Sequence, residues 1–135
     1  CKLAIVWTIN PVTYAGVNSM TEALRSRFIG SAWDYPSNSD MESVIDWTDI
    51  DDVSVKSPIL TLTQDIYALK LKGDVEYALS IRDLVQFTHH YRDIQNKIPK
   101  PLETALNEVV MIKFSEPAER ELIRLRIEDT FDVKL

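Results

Sequence analysis

The first apolar run of the chain, Leu3-Ala4-Ile5-Val6-Trp7-Thr8, is continuous and rich in β-branched residues, and Asn10-Pro11 ends it. Such a run reads as a strand buried on both faces, as in the middle of a parallel sheet. Pro11 to Asn18 holds Gly16 among polar residues and reads as a loop. Ser19-x-x-Glu22 has the form of a capping box, in which hydroxyl and carboxylate each satisfy the other residue's backbone amide, so a helix is expected over about Met20 to Arg27. Phe28 to Tyr35 returns to an extended pattern that Pro36 stops.

Beyond Pro36 both period and punctuation are helical. Ser39-x-x-Glu42 predicts a helix carrying Val44, Ile45 and Trp47 toward a core, followed by an acidic turn from Asp46 to Asp52. Ser57-Pro58 predicts a helix with proline at its first position; Ile59, Leu62, Ile66 and Leu69 recur at helical spacing up to a stop at Gly73. Ser80-x-x-Asp83 predicts the next helix, burying Leu84, Val85, Phe87 and Tyr91. Pro99 and Pro101 reopen the chain into Leu102, Ala105, Leu106, Val109 and Val110, and Ser115-Glu116-Pro117 starts a last helix with Leu122, Ile123 and Ile127 inward. Residues 40–135 are therefore expected to form a bundle of about five helices joined by short loops. There is no repeat at solenoid period and no low-complexity tract.

Composition narrows the class. With 135 residues, 45% of them hydrophobic, the chain builds one core, or a small domain plus part of another. A net charge of -6 argues against nucleic acid as a partner, which calls for clustered Lys and Arg. The single cysteine, Cys1, forms no internal disulfide and fits a reducing, cytoplasmic compartment. Leu3 to Thr21 is uncharged, but Thr8, Asn10, Pro11, Asn18 and Ser19 interrupt it, so no membrane span is expected. No charged segment precedes it as in a signal peptide. The chain starts with Cys, not Met, which suggests a processed or excised piece of something longer.

Candidate chemistry is sparse. An asparagine just past the carboxyl end of a buried parallel strand lies where open α/β sheets bind ligands, so Asn10 is placed to hold a phosphate or a water; Asn-Pro as a simple turn is the plainer reading. Arg25 and Arg27, two positions apart on a helix, point in different directions, so one at most serves any single site. A helix-end arginine facing a neighbouring chain can act as an arginine finger; the alternative is a solvated residue favoured by the helix dipole. His89 and His90 are about 100 degrees apart on a helix and do not share a metal from one face. Asp46, Asp49, Asp51 and Asp52 lack the central glycine and closing glutamate of a calcium loop and read as a solvated turn. Trp7, Trp33 and Trp47 read as core residues, and no Ser/His/Asp or Cys/His arrangement for nucleophilic catalysis is evident.

The order of the segments says more than any one of them. "IVWTINP", "YAG", "MTEALRSRF" and "DYP" with "ME" close behind, followed by "YALSIRDLVQF", resemble the second half of the ATPase module in AAA+ proteins of the MoxR type, which include the CbbQ and NorQ group. The likeness runs from Lys2 to about Phe87. It implies a fold that is mainly α with a short α/β N-terminal part: residues 1–36 as the end of the large α/β domain and residues 37–135 as the α-helical lid. It implies that Asn10 is the first sensor, near the γ-phosphate and attacking water. Arg27 is then the finger reaching a neighbouring subunit's nucleotide, with Arg25 a second candidate. Arg82 matches the second sensor, at a helix start that already favours phosphate; its plainer role is as a surface partner of Asp83 or Asp93.

The departures are as informative. No G-x-x-x-x-G-K-[ST] cradles phosphate, and no apolar run ends in Asp-Glu to hold magnesium. Both elements precede the first sensor in that family, so the resemblance implies the C-terminal portion of a longer ATPase. ATP and Mg2+ are expected in the complete protein and neither on this fragment alone. The strands over 3–8 and 28–34 are not neighbours in the family's sheet, so alone they are expected to rearrange, to pair with another copy or to contact an N-terminal part. The partners implied are other copies of the chain in a ring, a hexamer, and a client protein that ATP turnover reshapes. The competing class is a non-catalytic helical interaction module derived from such a lid; Asn10, Arg27 and Arg82 occurring together favour the ATPase.

Overall fold

The computed structural model describes Thr21, residues 35–48 and residues 52–135. The chain divides into two units, Cys1–Asp34 and Tyr35–Leu135, and the second is the helical one described below. The strands expected over 3–8 and 28–34, their open edges and the helix over 20–27 lie outside the described residues.

The described residues are mainly α, with no strand among them. In chain order the helices are α1 (Asn38–Asp46), α2 (Val53–Lys72), α3 (Ile81–Ile94), α4 (Pro101–Ala105) and α5 (Pro117–Phe131). α1 packs on α2 and α3, α2 on α5, and α3 on α4 with the turn that follows it. The shared core includes Ile59, Leu62 and Ile66 of α2, Leu84 and Phe87 of α3, Phe114, and Ile123 and Ile127 of α5. Each such side chain contributes about 1.5–3 kcal/mol by leaving water.

Two helix starts differ from their sequence expectation. α1 is capped by Ser37, whose hydroxyl accepts from the Asp40 amide while the Asp40 carboxylate accepts from the Ser37 amide; Ser39-x-x-Glu42 does not cap it. The chain is already helical at Ser39, whose carbonyl accepts from the Ser43 hydroxyl. α2 opens at Val53, not at Pro58. The Asp52 carboxylate accepts from the Ser54 amide at 3.0 Å, and the early turn buries Val55. Pro58 therefore sits inside α2, where it has no N–H to give the Ser54 carbonyl. Gly73 ends α2 as expected. Its left-handed φ of 84° lets its own amide reach the Lys70 carbonyl and that of Asp74 reach the Leu69 carbonyl, a closure that favours glycine.

Trp47 is not a core residue; it is 84% exposed. The inward stripe of α1 runs through Met41 and Ile45 to Thr48, whose hydroxyl donates to the Ile45 carbonyl at 2.7 Å. Two residues past Ile45 a helical path has turned about 200 degrees, which puts Trp47 on the opposite side. Val44, Val85 and Leu122, expected inward, are half-buried at the edges of their stripes. Trp7 and Trp33 lie outside the described residues.

α4 does not run on as a regular helix. Leu106–Val110 widens into a π turn, in which the Met111 amide reaches the Leu106 carbonyl, and Met111–Lys113 then tightens into a 3-10 turn. The widened turn buries Leu106, Val109 and Val110 together. Arg120, one turn into α5, donates to the carbonyls of Met111 at 3.4 Å and Phe114 at 3.2 Å, satisfying acceptors that the ending helix leaves open.

Candidate functional site

Of the residues singled out from the sequence, Asn10, Arg25 and Arg27 lie outside the described residues. Arg82 is described. It is the second residue of α3, exposed, and makes no hydrogen bond or ion pair among the described residues. Neither Asp83 nor Asp93 pairs with it.

The reason lies in the turn that carries it. Ser80 caps α3, with its hydroxyl 3.3 Å from the Asp83 amide. The Asp83 carboxylate folds back to accept from the Ser80 amide at 2.8 Å and the Ser80 hydroxyl at 2.7 Å. The same oxygen accepts from the Tyr77 hydroxyl at 2.5 Å, and the other faces Lys113 Nζ at 3.0 Å. Asp83 is only 4% exposed. Burial by itself would raise its pKa; the hydrogen bonds from Tyr77 and Ser80 and the ammonium of Lys113 outweigh it and hold the carboxyl below its ordinary value. Tyr77 is pushed up to about 12, by burial first and then by its bond to Asp83 and that group's charge, with Ser80 and the charge of Arg82 pulling the other way. Its ring meets Phe114 edge-on at 6.2 Å between centroids.

The first residue of the helical unit ends at the same place. The Tyr35 hydroxyl donates to the Leu79 carbonyl, one residue before the cap, and its ring stacks on Tyr67 at 3.9 Å. Burial and the neighbouring charges of Tyr67 and Asp83 push Tyr35 up to about 12. Beside it a cavity of about 220 Å³ is lined by Tyr35, Pro36, Asn38, Met41, Gln64 and Tyr67.

The first turn of α3 thus offers an uncommitted guanidinium at the positive end of a helix dipole, an arrangement suited to a phosphate or carboxylate. The Ser-x-x-Asp spacing signals the cap in the sequence. Lys113, thirty residues past Asp83, carries no local signal, and Tyr77 reads as one more aromatic.

Elsewhere several polar groups pair within the helical unit. Asp46 pairs with Lys56, and Asp52 caps α2 and accepts from the Tyr91 hydroxyl at 3.2 Å; Asp49 and Asp51 lie outside the described residues. His90 Nε2 is 2.6 Å from Glu108 Oε2. No cluster of three or more metal-ligating side chains occurs among the described residues. No helix among them is long and apolar enough to cross a membrane.

The chain is 27% identical over 121 residues to an uncharacterized protein of Staphylococcus haemolyticus. The alignment covers 87% of this chain and 43% of that protein, so the chain spans less than half the length of the curated relative it matches. No family model matches the chain. No solved structure matches it.

Proposed function

We propose that the chain is the C-terminal portion of a MoxR-type AAA+ ATPase, acting in the cytoplasm within a ring whose ATP turnover remodels a client protein. Residues 1–36 then close the large α/β domain, and the helical unit is the lid. Asn10 positions the attacking water in its own subunit, and Arg27, or less directly Arg25, completes the neighbouring subunit's site. Arg82 contacts the nucleotide phosphates from the lid. ATP and Mg2+ bind upstream elements that this segment lacks.

The observation that carries the reading is Arg82. The residue that the motif order singles out as a sensor is an exposed arginine in a helix's first turn, with no partner among the described residues. The electrostatic need of a transferring phosphoryl group is met by this kind of side chain.

The test is ATP hydrolysis by the complete native protein that contains this segment. Asn10→Ala should lower turnover about 100- to 1000-fold, and Arg27→Ala about 1000-fold or more. Mixing the two inactive variants should restore part of the activity, because a site with one chain's Asn10 and its neighbour's Arg27 is whole. A complete protein that neither binds nor hydrolyses ATP sinks the reading.

A further inference from the structure

One cation holds the buried Asp83 carboxylate, and a second is its neighbour in the chain. Lys113 holds Asp83 at 3.0 Å, while Arg82, the residue next to it, stays exposed and unbonded among the described residues. Arg82 adjoins Asp83 in the first turn of the same helix, and the Tyr77 hydroxyl sits on the Asp83 carboxylate. Adjacent helical positions do not normally face each other. Here the carboxylate is folded back onto the Ser80 amide and hydroxyl, away from the position a regular helical neighbour would face. A buried carboxylate without a counter-charge is strongly unfavourable, so whichever cation is available is drawn to it.

We propose that Lys113 and Tyr77 are positioning residues for Arg82. By saturating the Asp83 carboxylate they keep the Arg82 guanidinium out of the cap and free for an anionic ligand. The 3-10 turn that follows the π turn delivers Lys113 to this point, so the irregular end of α4 serves the first turn of α3. The effect on Arg82's position follows from these contacts alone; its consequence for nucleotide binding rests on the ATPase reading above.

The test uses the complete native protein and two readouts. The first is the rate at which phenylglyoxal modifies Arg82, followed by peptide mass spectrometry. Wild type should react as an open arginine. Lys113→Met should react about tenfold more slowly, the protection a charge-assisted bond to Asp83 confers. Lys113→Arg should restore the wild-type rate, and Tyr77→Phe, which removes one hydroxyl and leaves the ring packed, should fall between. If circular dichroism shows Lys113→Met unfolded, Tyr77→Phe decides. Equal rates in wild type and in the folded variants overturn the proposal. The second readout is the Kd of a fluorescent ATP analogue, mant-ATP. Lys113→Met and Arg82→Ala should weaken it alike, and the double variant no further, because both act through one guanidinium. Additive losses would mark Lys113 as a separate structural contribution and overturn the positioning role. Failure of wild type to bind mant-ATP would instead defeat the nucleotide reading, with the modification rates still deciding where Arg82 is held.

Discussion

α1 and α3 begin with the same motif and use it differently. In each, a serine hydroxyl accepts from the amide three residues on, at 3.2 Å for Ser37 and 3.3 Å for Ser80, and an aspartate returns the bond to the serine amide, at 3.1 Å from Asp40 and 2.8 Å from Asp83. Asp40 bonds only within its own cap and is fully exposed. Asp83 is buried, and residues from outside the helix, Tyr77 and Lys113, converge on it. The local motif starts a helix in both places. Long-range partners turn the second into a junction that fixes one helix against the end of another and leaves Arg82 free.

Breaking the long-range part should have the largest effect. Lys113→Met removes the ammonium 3.0 Å from the buried Asp83 carboxylate and should cost about 3 kcal/mol, the low end for such a pair because the lysine keeps some solvent contact and Arg82 takes over part of its place. Urea denaturation checks it, and a loss under about 0.5 kcal/mol would show that Tyr77 and Ser80 suffice. Acid should act through the same group. The folded-state pKa of Asp83 lies below its ordinary value, so its contribution is complete above the ordinary carboxylate range and is lost as pH falls through the lower folded value. Thermal unfolding between neutral and acidic pH should therefore depend on pH more steeply in wild type than in Asp83→Asn.

Much of this architecture is legible in the sequence because it is local. Ile59, Leu62, Ile66 and Leu69 at helical spacing, Gly73 as a stop and Ser80-x-x-Asp83 as a start all appear where the pattern puts them. The failures share one physical cause, competition between signals a few residues apart. Ser37 and Ser39 both precede a carboxylate by three, and the serine earlier in the chain wins because the helix already includes the second. Asp52 preempts Ser57-Pro58, since a helix starting there also buries Val55. Trp47 misleads because size suggests burial, whereas its place beyond the Met41-Ile45 stripe decides. The pairing of Asp83 with Lys113 depends on the π and 3-10 turns between α4 and α5, which no local pattern announces.

The serines sharpen the comparison at smaller amplitude. Ser80→Ala should cost about 2 kcal/mol, because it removes a cap and a hydrogen bond to a buried carboxylate at once. Ser37→Ala should cost about 1 kcal/mol, the ordinary worth of an exposed cap. Equal losses would mean that Tyr77 and Lys113 hold the Asp83 carboxylate whether or not the hydroxyl is there.

The smallest effect separates the two aspartates by salt. Asp40 has its pKa lowered by its bonds to the Ser37 hydroxyl and amide, and it stands in water at the positive end of α1. At about 1 M salt the screening length falls to roughly 3 Å, which removes most of what an exposed charge gains from a helix terminus. Asp40→Asn should therefore shift Tm less than Ser37→Ala does at low salt and hardly at all at high salt. Asp83 is shielded from that solvent and meets Lys113 at 3.0 Å, so the loss caused by Lys113→Met should change little over the same range. If both effects fade together with salt, the Asp83 pair is open to water in solution. Its advantage over the Asp40 cap would then come from Tyr77 and packing, not from charge.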